Sequence, residues 1–324
     1  MKAWDALSER GRLRRLRSVA AEALGHYAVR PRRLRRIGGF VNAVFRVDAD
    51  EGVFALRVEL MKGHADAHID AEMAWLRALE RDGLPTARVV PARGGDPYVH
   101  AGAPGVPEPR RCALFRWIGG RPLAASPSPA TYGALGRLMA QLHHHAEGRQ
   151  AAGRPMRWDR VFYWPESVDP VVIHDEAMAH HFAGGRREVL EAALETVGPA
   201  FARRARAGFR LLHGDLHPWN VHVRRGALTA FDFEDVMWAH PVQDVAITFS
   251  YLDERPDHAE LCAAFEEGYR ALAPWPETYA GEVAHFVAAR RLMFVNFVAN
   301  VRPDPSDFYA KTFPKLEAYL ARWG

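Results

Sequence analysis

The stretch HGDLHPWN, residues 213–220, decides how this chain is read, and LTAFDFED, residues 228–235, completes the reading. Asp215 is followed five residues later by Asn220, and Asp232 comes twelve residues after that. Short β-like runs at residues 209–212, 221–223 and 228–233 flank these polar positions, so a tight hairpin is expected to return Asp232 beside Asn220. A carboxylate fixed on a loop suits a hydroxyl whose proton must be accepted. An amide oxygen and a second carboxylate suit a hard divalent cation such as Mg²⁺. Phosphoryl transfer needs those two things, an aligned nucleophile and neutralised phosphate charge, and little else.

Outward from this stretch the chain divides in two. Residues 5–26 carry Leu7, Leu13, Leu16, Val19 and Leu24 at helical spacing. After Pro31 the period shortens. LRRIGGFVNAVFRVDA reads as strand, Gly38-Gly39 turn and strand, and Glu51-Gly52 turns the chain into VFALRVEL. Residues 66–81 repeat Ile69, Met73, Leu76 and Leu79 at the helical period and stop at Asp82-Gly83. Two more short strands are expected, at residues 87–91 and 110–117. IGGRPLAASPSPA, residues 118–130, is dense in Gly, Pro and Ser and marks a boundary. Beyond it, residues 129–147, 186–206, 257–272 and 279–299 have helical periodicity. The expectation is an α+β chain, with a small antiparallel-sheet lobe over residues 1–117 and a larger helical lobe over residues 118–324.

HGDLHPWN with the later aspartate resembles the aminoglycoside phosphotransferase and choline-kinase-like superfamily, relatives of the protein kinases. LGRLMAQLHHHAE and LFRWIGGRPL resemble that family's helix ending in Leu-His and its interlobe hinge, and the likeness extends over roughly residues 34–300. It implies a two-lobe protein-kinase-like fold with ATP in the cleft between the lobes. It implies Asp215 as the base, Asn220 and Asp232 as Mg²⁺ ligands, and Asp244 as a buried brace for the loop. His217 stands where protein kinases place a phosphate-contacting lysine, and both a hydrogen bond to the transferring group and a scaffold role remain open. His213 is expected to hydrogen-bond backbone within the loop.

In such kinases a lysine on the third strand holds the phosphates and pairs with a helical glutamate. Here FALRVEL puts Arg57 in that place, with Glu72 as the partner, and a guanidinium can grip phosphate and carboxylate together. Lys62 is a second candidate for the phosphates. Gly38 and Gly39 are the only glycines of the flap, and Phe115 and Trp117 belong to the hinge, whose backbone would meet adenine. No G-x-x-x-x-G-K-[ST] is present, which excludes a P-loop ATPase. Arg290, Arg291, Asn296 and Asn300 fall on a late helix that lines the acceptor cleft in relatives; the alternative is that they are simply exposed. His143, His144 and His145 are consecutive on a helix, point in different directions and cannot converge on one ion.

The 324 residues are 48% hydrophobic and 25% charged, an ordinary globular composition. No apolar run approaches the length of a membrane span, and the N-terminus has no apolar core with a small-residue cleavage site, so neither membrane insertion nor secretion is expected. Two cysteines cannot make a disulfide framework and suit a reducing compartment, by default the cytoplasm. Residues 1–40 hold eleven Lys/Arg against three Asp/Glu. With no aromatics interleaved, this reads as a solvated helix face rather than a nucleic-acid surface. Residues 251–287 hold eight Asp/Glu against two Arg, which is either a solvated face or a complement to a cationic acceptor. The expected partner is a small molecule with a hydroxyl group, of aminoglycoside, homoserine or choline type. A bacterial stress-response type of Ser/Thr protein kinase and a nucleotide-binding pseudokinase are the alternatives.

Overall fold

A computed structural model describes residues 2–4, 6–39, 41–60, 63–204 and 208–324, with Glu9 described by its backbone alone. Two compact units form, Met1–Gly120 and Arg121–Gly324. Among the described residues no helix is long and apolar enough to cross a membrane.

The first unit starts with α1 (Glu9–Leu24), which begins later than its apolar period suggests because the Ser8 side chain caps it, accepting from Gly11 N at 3.3 Å. The unit continues with β1 (Pro31–Gly38), β2 (Asn42–Ala49), β3 (Gly52–Glu59), α2 (Asp66–Arg81), β4 (Val89–Val90), β5 (Val99–Ala101) and β6 (Arg110–Arg116). The sheet is antiparallel in the order β1-β2-β3-β6-β4, with β5 also on β6. Period-two alternation gives it two distinct faces. Phe45, Val47, Phe54, Leu56, Val58, Cys112 and Leu114 form one face and pack with Leu16, Val19, Ala20 and Ala23 of α1. Cross-strand register assigns Arg46, Ala55, Arg57, Ala113 and Phe115 to the other.

The second unit contains β7 (Arg121–Pro122), α3 (Pro129–His145), β8 (Met156–Arg157), α4 (Arg186–Arg204), β9 (Arg210–Leu212), β10 (Val221–Arg224), β11 (Ala227–Ala230) and β12 (Met237–Ala239), then α5 (Pro241–Ser250), α6 (His258–Arg270), α7 (Glu282–Val301) and α8 (Ser306–Trp323). Two small sheets form, β11-β10-β7 and β8-β12-β9. Two crossovers join them. One carries residues 213–220 from β9 to β10, and the other carries residues 231–236 from β11 to β12. Since β10 pairs with β11 and β9 with β12, the crossovers run side by side. The helices enclose a separate core centred on Trp158, Leu190, Met237, Leu292, Phe313 and Leu316.

Both cysteines are free. Cys112 is buried in the sheet core, and Cys262 lies partly exposed on α6, where burial pushes its thiol up to about 12.

Candidate active site

The two crossovers of the second unit are held together by backbone. Phe231 N donates to Asn220 O at 3.0 Å, and the His213 ring meets Phe231 O at 3.1 Å and lies 4.2 Å from the Phe233 ring. Gly214 is required where they touch. Its φ is +78°, and a Cβ there would lie 2.1 Å from Asp235 O. Asp232 has φ +64°, an uncommon conformation for a residue with a side chain, and its side chain is exposed at the end of the hairpin.

Asp215 is gripped from three sides. Arg290 Nη2 donates to Oδ1 at 2.5 Å, while Asn220 Nδ2 at 3.1 Å and His217 Nε2 at 3.2 Å meet Oδ2. Asn220 Nδ2 also donates to Asp215 O at 3.0 Å. Both contacts run through the amide nitrogen of Asn220, and an amide oxygen is a hard, neutral donor of the kind that could serve a cation such as Mg²⁺. His217 Nδ1 accepts from Trp219 N at 3.2 Å, which puts the ring proton on Nε2, toward Asp215. Burial by itself would raise the Asp215 carboxyl, but His217 and Arg290 outweigh it and hold the group at about 2. For Arg290 burial pulls down while Asp215 pushes up, and the net direction is up. Trp219, between His217 and Asn220 in sequence, is 57% exposed.

A second layer braces the loop. The Asp244 side chain is fully buried; Oδ1 accepts from Gly214 N at 3.1 Å and Oδ2 meets His143 Nε2 at 3.1 Å. His143 Nδ1 in turn meets the Tyr269 hydroxyl at 2.8 Å. Thr248 Oγ1 donates to Leu216 O at 2.5 Å. Two of the three consecutive histidines thus have separate surroundings: His143 is buried in this chain of bonds and His144 pairs with exposed Glu147. The sequence held a signal for His143, which lies four residues after buried Met139 on the inward face of α3.

Arg290 corrects the reading of that late-helix cluster as exposed. It is 4% exposed and its charge rests on Asp215. Asn296 and Asn300 serve structure instead, both donating to Asp169 Oδ1, at 3.1 and 2.7 Å. Four of the eight acidic residues of the 251–287 stretch pair with arginines: Asp257 with Arg255, Glu266 with Arg270, Glu282 with Arg204 and Asp253 with Arg291.

In the first unit, Arg57 meets Glu72 through two bonds of 2.8 and 2.6 Å, with Glu72 only 1% exposed. The Arg57 guanidinium also lies 5.3 Å from the Phe115 ring, and Arg46 lies 4.9 Å from the Trp117 ring, so basic and aromatic groups interleave on one sheet face. Trp117 N donates to Val53 O at 3.1 Å. Gly38 has open space around it, whereas a Cβ on Gly39, at φ +102°, would lie 1.8 Å from Asn42 O. Lys62 lies outside the described residues. Among the described residues no three His, Cys, Asp or Glu side chains gather as a metal cage. Mg²⁺ requires none, since it keeps waters and phosphate oxygens and takes one or two protein ligands. Asn220 and Asp232 fit that demand.

Comparison with known proteins adds five findings. The phosphotransferase enzyme family model matches residues 33–280. An uncharacterized protein of Deinococcus radiodurans is 27% identical over 278 residues, which span 80% of this chain and 75% of that protein. The amicoumacin kinase of Bacillus subtilis is 23% identical over 270 residues, 78% of this chain and 75% of the kinase. Among solved structures, a microcompartment-associated aminopropanol kinase superposes with a TM-score of 0.76 at 24% identity, covering 94% of this chain and 95% of that one. An amicoumacin kinase solved with AMP-PNP and Ca²⁺ gives 0.73 at 17%, covering 94% and 93%.

Proposed function

Because the chain belongs to the phosphotransferase enzyme family, we propose that it transfers the γ-phosphoryl group of ATP to the hydroxyl of a small molecule, with Asp215 facing that hydroxyl. The observation that carries this reading is the joined pair of crossovers, which puts a braced, ionised Asp215 beside the amide of Asn220 and one hairpin away from Asp232.

In the proposed reaction the acceptor oxygen forms a bond to Pγ as the bond from Pγ to the β-phosphate oxygen breaks, and ADP leaves with the electron pair. A carboxylate held at about 2 is too weak a base to take the proton early. It aligns the hydroxyl, and the proton moves once the new O–P bond is largely made, as a loose transition state allows. His217 fixes the orientation of the carboxylate. Asn220 and Asp232 are assigned to Mg²⁺, which supplies charge neutralisation on the phosphates when bound. Arg57, steadied by Glu72, is assigned to the nucleotide phosphates, the Gly38-Gly39 turn to their backbone contacts, and the strand end at Phe115 and Trp117 to the base.

The test is a panel of hydroxyl compounds with ADP release as readout. Asp215→Ala is expected to lower turnover by about three orders of magnitude while ATP binding, followed by calorimetry, persists. Wild-type turnover in that variant would remove Asp215 from the mechanism. Labelled phosphate appearing on proteins and on no small molecule would redirect the reading to a protein kinase.

A further inference from the structure

A cavity of about 240 Å³ opens in the second unit, lined by Tyr251, Asp253, Arg290, Arg291, Phe294 and Lys315 among others. It is one residue away from Asp215 by two routes. Arg290 lines it and donates to Asp215 Oδ1. Tyr251 lines it and lies 4.3 Å, ring to ring, from His217, which meets Oδ2. Asp215 does not itself line the cavity, so an acceptor with its hydroxyl at Asp215 would enter it past the side chains of Arg290 and Tyr251.

Its charge is one-sided. The lining holds three cations and one carboxylate. Asp253, the one carboxylate, already pairs with Arg291, and Asp215 just behind the wall already pairs with Arg290. No lining carboxylate remains to receive an ammonium group. Donors, by contrast, remain. Arg290 Nε is buried with no hydrogen-bond partner, an unmet donor on a side chain that lines the cavity. Lys315 meets Glu254 at 3.0 Å and stands 4.0 Å from Asp253; Glu254 is 63% exposed, so water screens that pair and the ammonium can turn to a ligand. Phe294 and Tyr251 offer apolar surface between these donors.

Resting on the phosphotransferase reading above, we propose that the acceptor is a small alcohol carrying an anionic group, a carboxylate or a phosphate. Its hydroxyl lies at the Asp215 end of the cavity and its anion toward Lys315 and Arg291. Of the eight carboxylates in the acidic 251–287 stretch only Asp253 lines this cavity, so the charge of that stretch does not make the cavity a site for a cation.

The experiment uses the full-length enzyme with ATP and Mg²⁺ and matched alcohols. On three-, four- and six-carbon skeletons, one member carries a carboxylate, one a phosphate, one no charge and one an ammonium group; glycerate, glycerol phosphate, glycerol and 3-aminopropane-1,2-diol form the smallest set. The expected order of kcat/KM puts an anionic member first, and the carboxylate and phosphate arms identify which anion. Lys315→Met should raise KM for the preferred anionic alcohol about tenfold, with kcat changed far less, and Lys315→Glu should raise it further. Preference for the ammonium or neutral member, with KM indifferent to Lys315→Met, overturns the proposal and leaves the phosphotransferase reading standing. ADP release with no member of any set overturns both.

Discussion

Arg57 shows at the residue scale how one substitution of type changes a site. A guanidinium that makes two bonds to a carboxylate 1% exposed has a structural role whatever it does for a nucleotide. Replacing it with methionine removes the cation facing buried Glu72, and urea denaturation should show a loss of about 3 kcal/mol. Arg57→Lys keeps the charge, forfeits the paired geometry and should lose less than half of that. Wild-type stability in Arg57→Met would mean that the pair contributes nothing. Arg57 and Glu72 were legible through the family resemblance, which implies a cation on the third strand paired with a glutamate on the next helix; periodicity located the two elements. Arg290 was not legible as a buried group. Helix α7 is apolar around most of its circumference, so periodicity does not say which of its arginines faces inward, and its partner lies seventy-five residues away.

At the scale of elements, the fold of the site depends on two very short strands. β9 falls within the run expected at residues 209–212, whereas β12, three residues long, is too short for alternation to register and went unread; their pairing aligns the two crossovers. α8 also went unread, since Pro314 interrupts an otherwise amphipathic run with Tyr309, Phe313 and Leu316 on its buried side. The long helices and the meander β1-β2-β3 were readable, as their patterns run over many residues. Helices α3 and α5 act on the loop through His143 and Asp244. Asp244→Asn keeps the shape and removes the charge that Gly214 N and His143 share. Turnover is expected to fall about tenfold or more, with nucleotide affinity nearly unchanged and faster amide exchange at Gly214. If kcat stays at the wild-type value, the brace is dispensable.

At the scale of the whole molecule, stability should depend on mildly acidic pH. Burial, reinforced by the Arg204 cation, lowers the His240 imidazole from 6.5 to about 4 in the folded chain, where its Nε2 meets the Arg204 carbonyl at 3.1 Å. Burial lowers buried His213 in the same direction. Between 6.5 and 4 the unfolded chain binds more protons than the folded one, so stability rises with pH across that window. The contribution is complete above 6.5 and is lost as the pH falls toward 4. A Tm series should drop by several degrees across the window, and His240→Gln should flatten part of the slope. An unchanged slope in that variant would assign the effect to other groups.

The state of the two cysteines has a practical consequence. With Cys112 enclosed in the sheet core and the Cys262 thiol at about 12, neither presents a thiolate near neutral pH. A disulfide reagent at pH 8 should react slowly with the folded chain and reach two equivalents once it is unfolded. The native sequence is then a quiet background for spectroscopic labelling. One new surface cysteine in each unit would accept a dye or spin label selectively, and the distance between the two units could be followed through a catalytic cycle without first removing either native thiol.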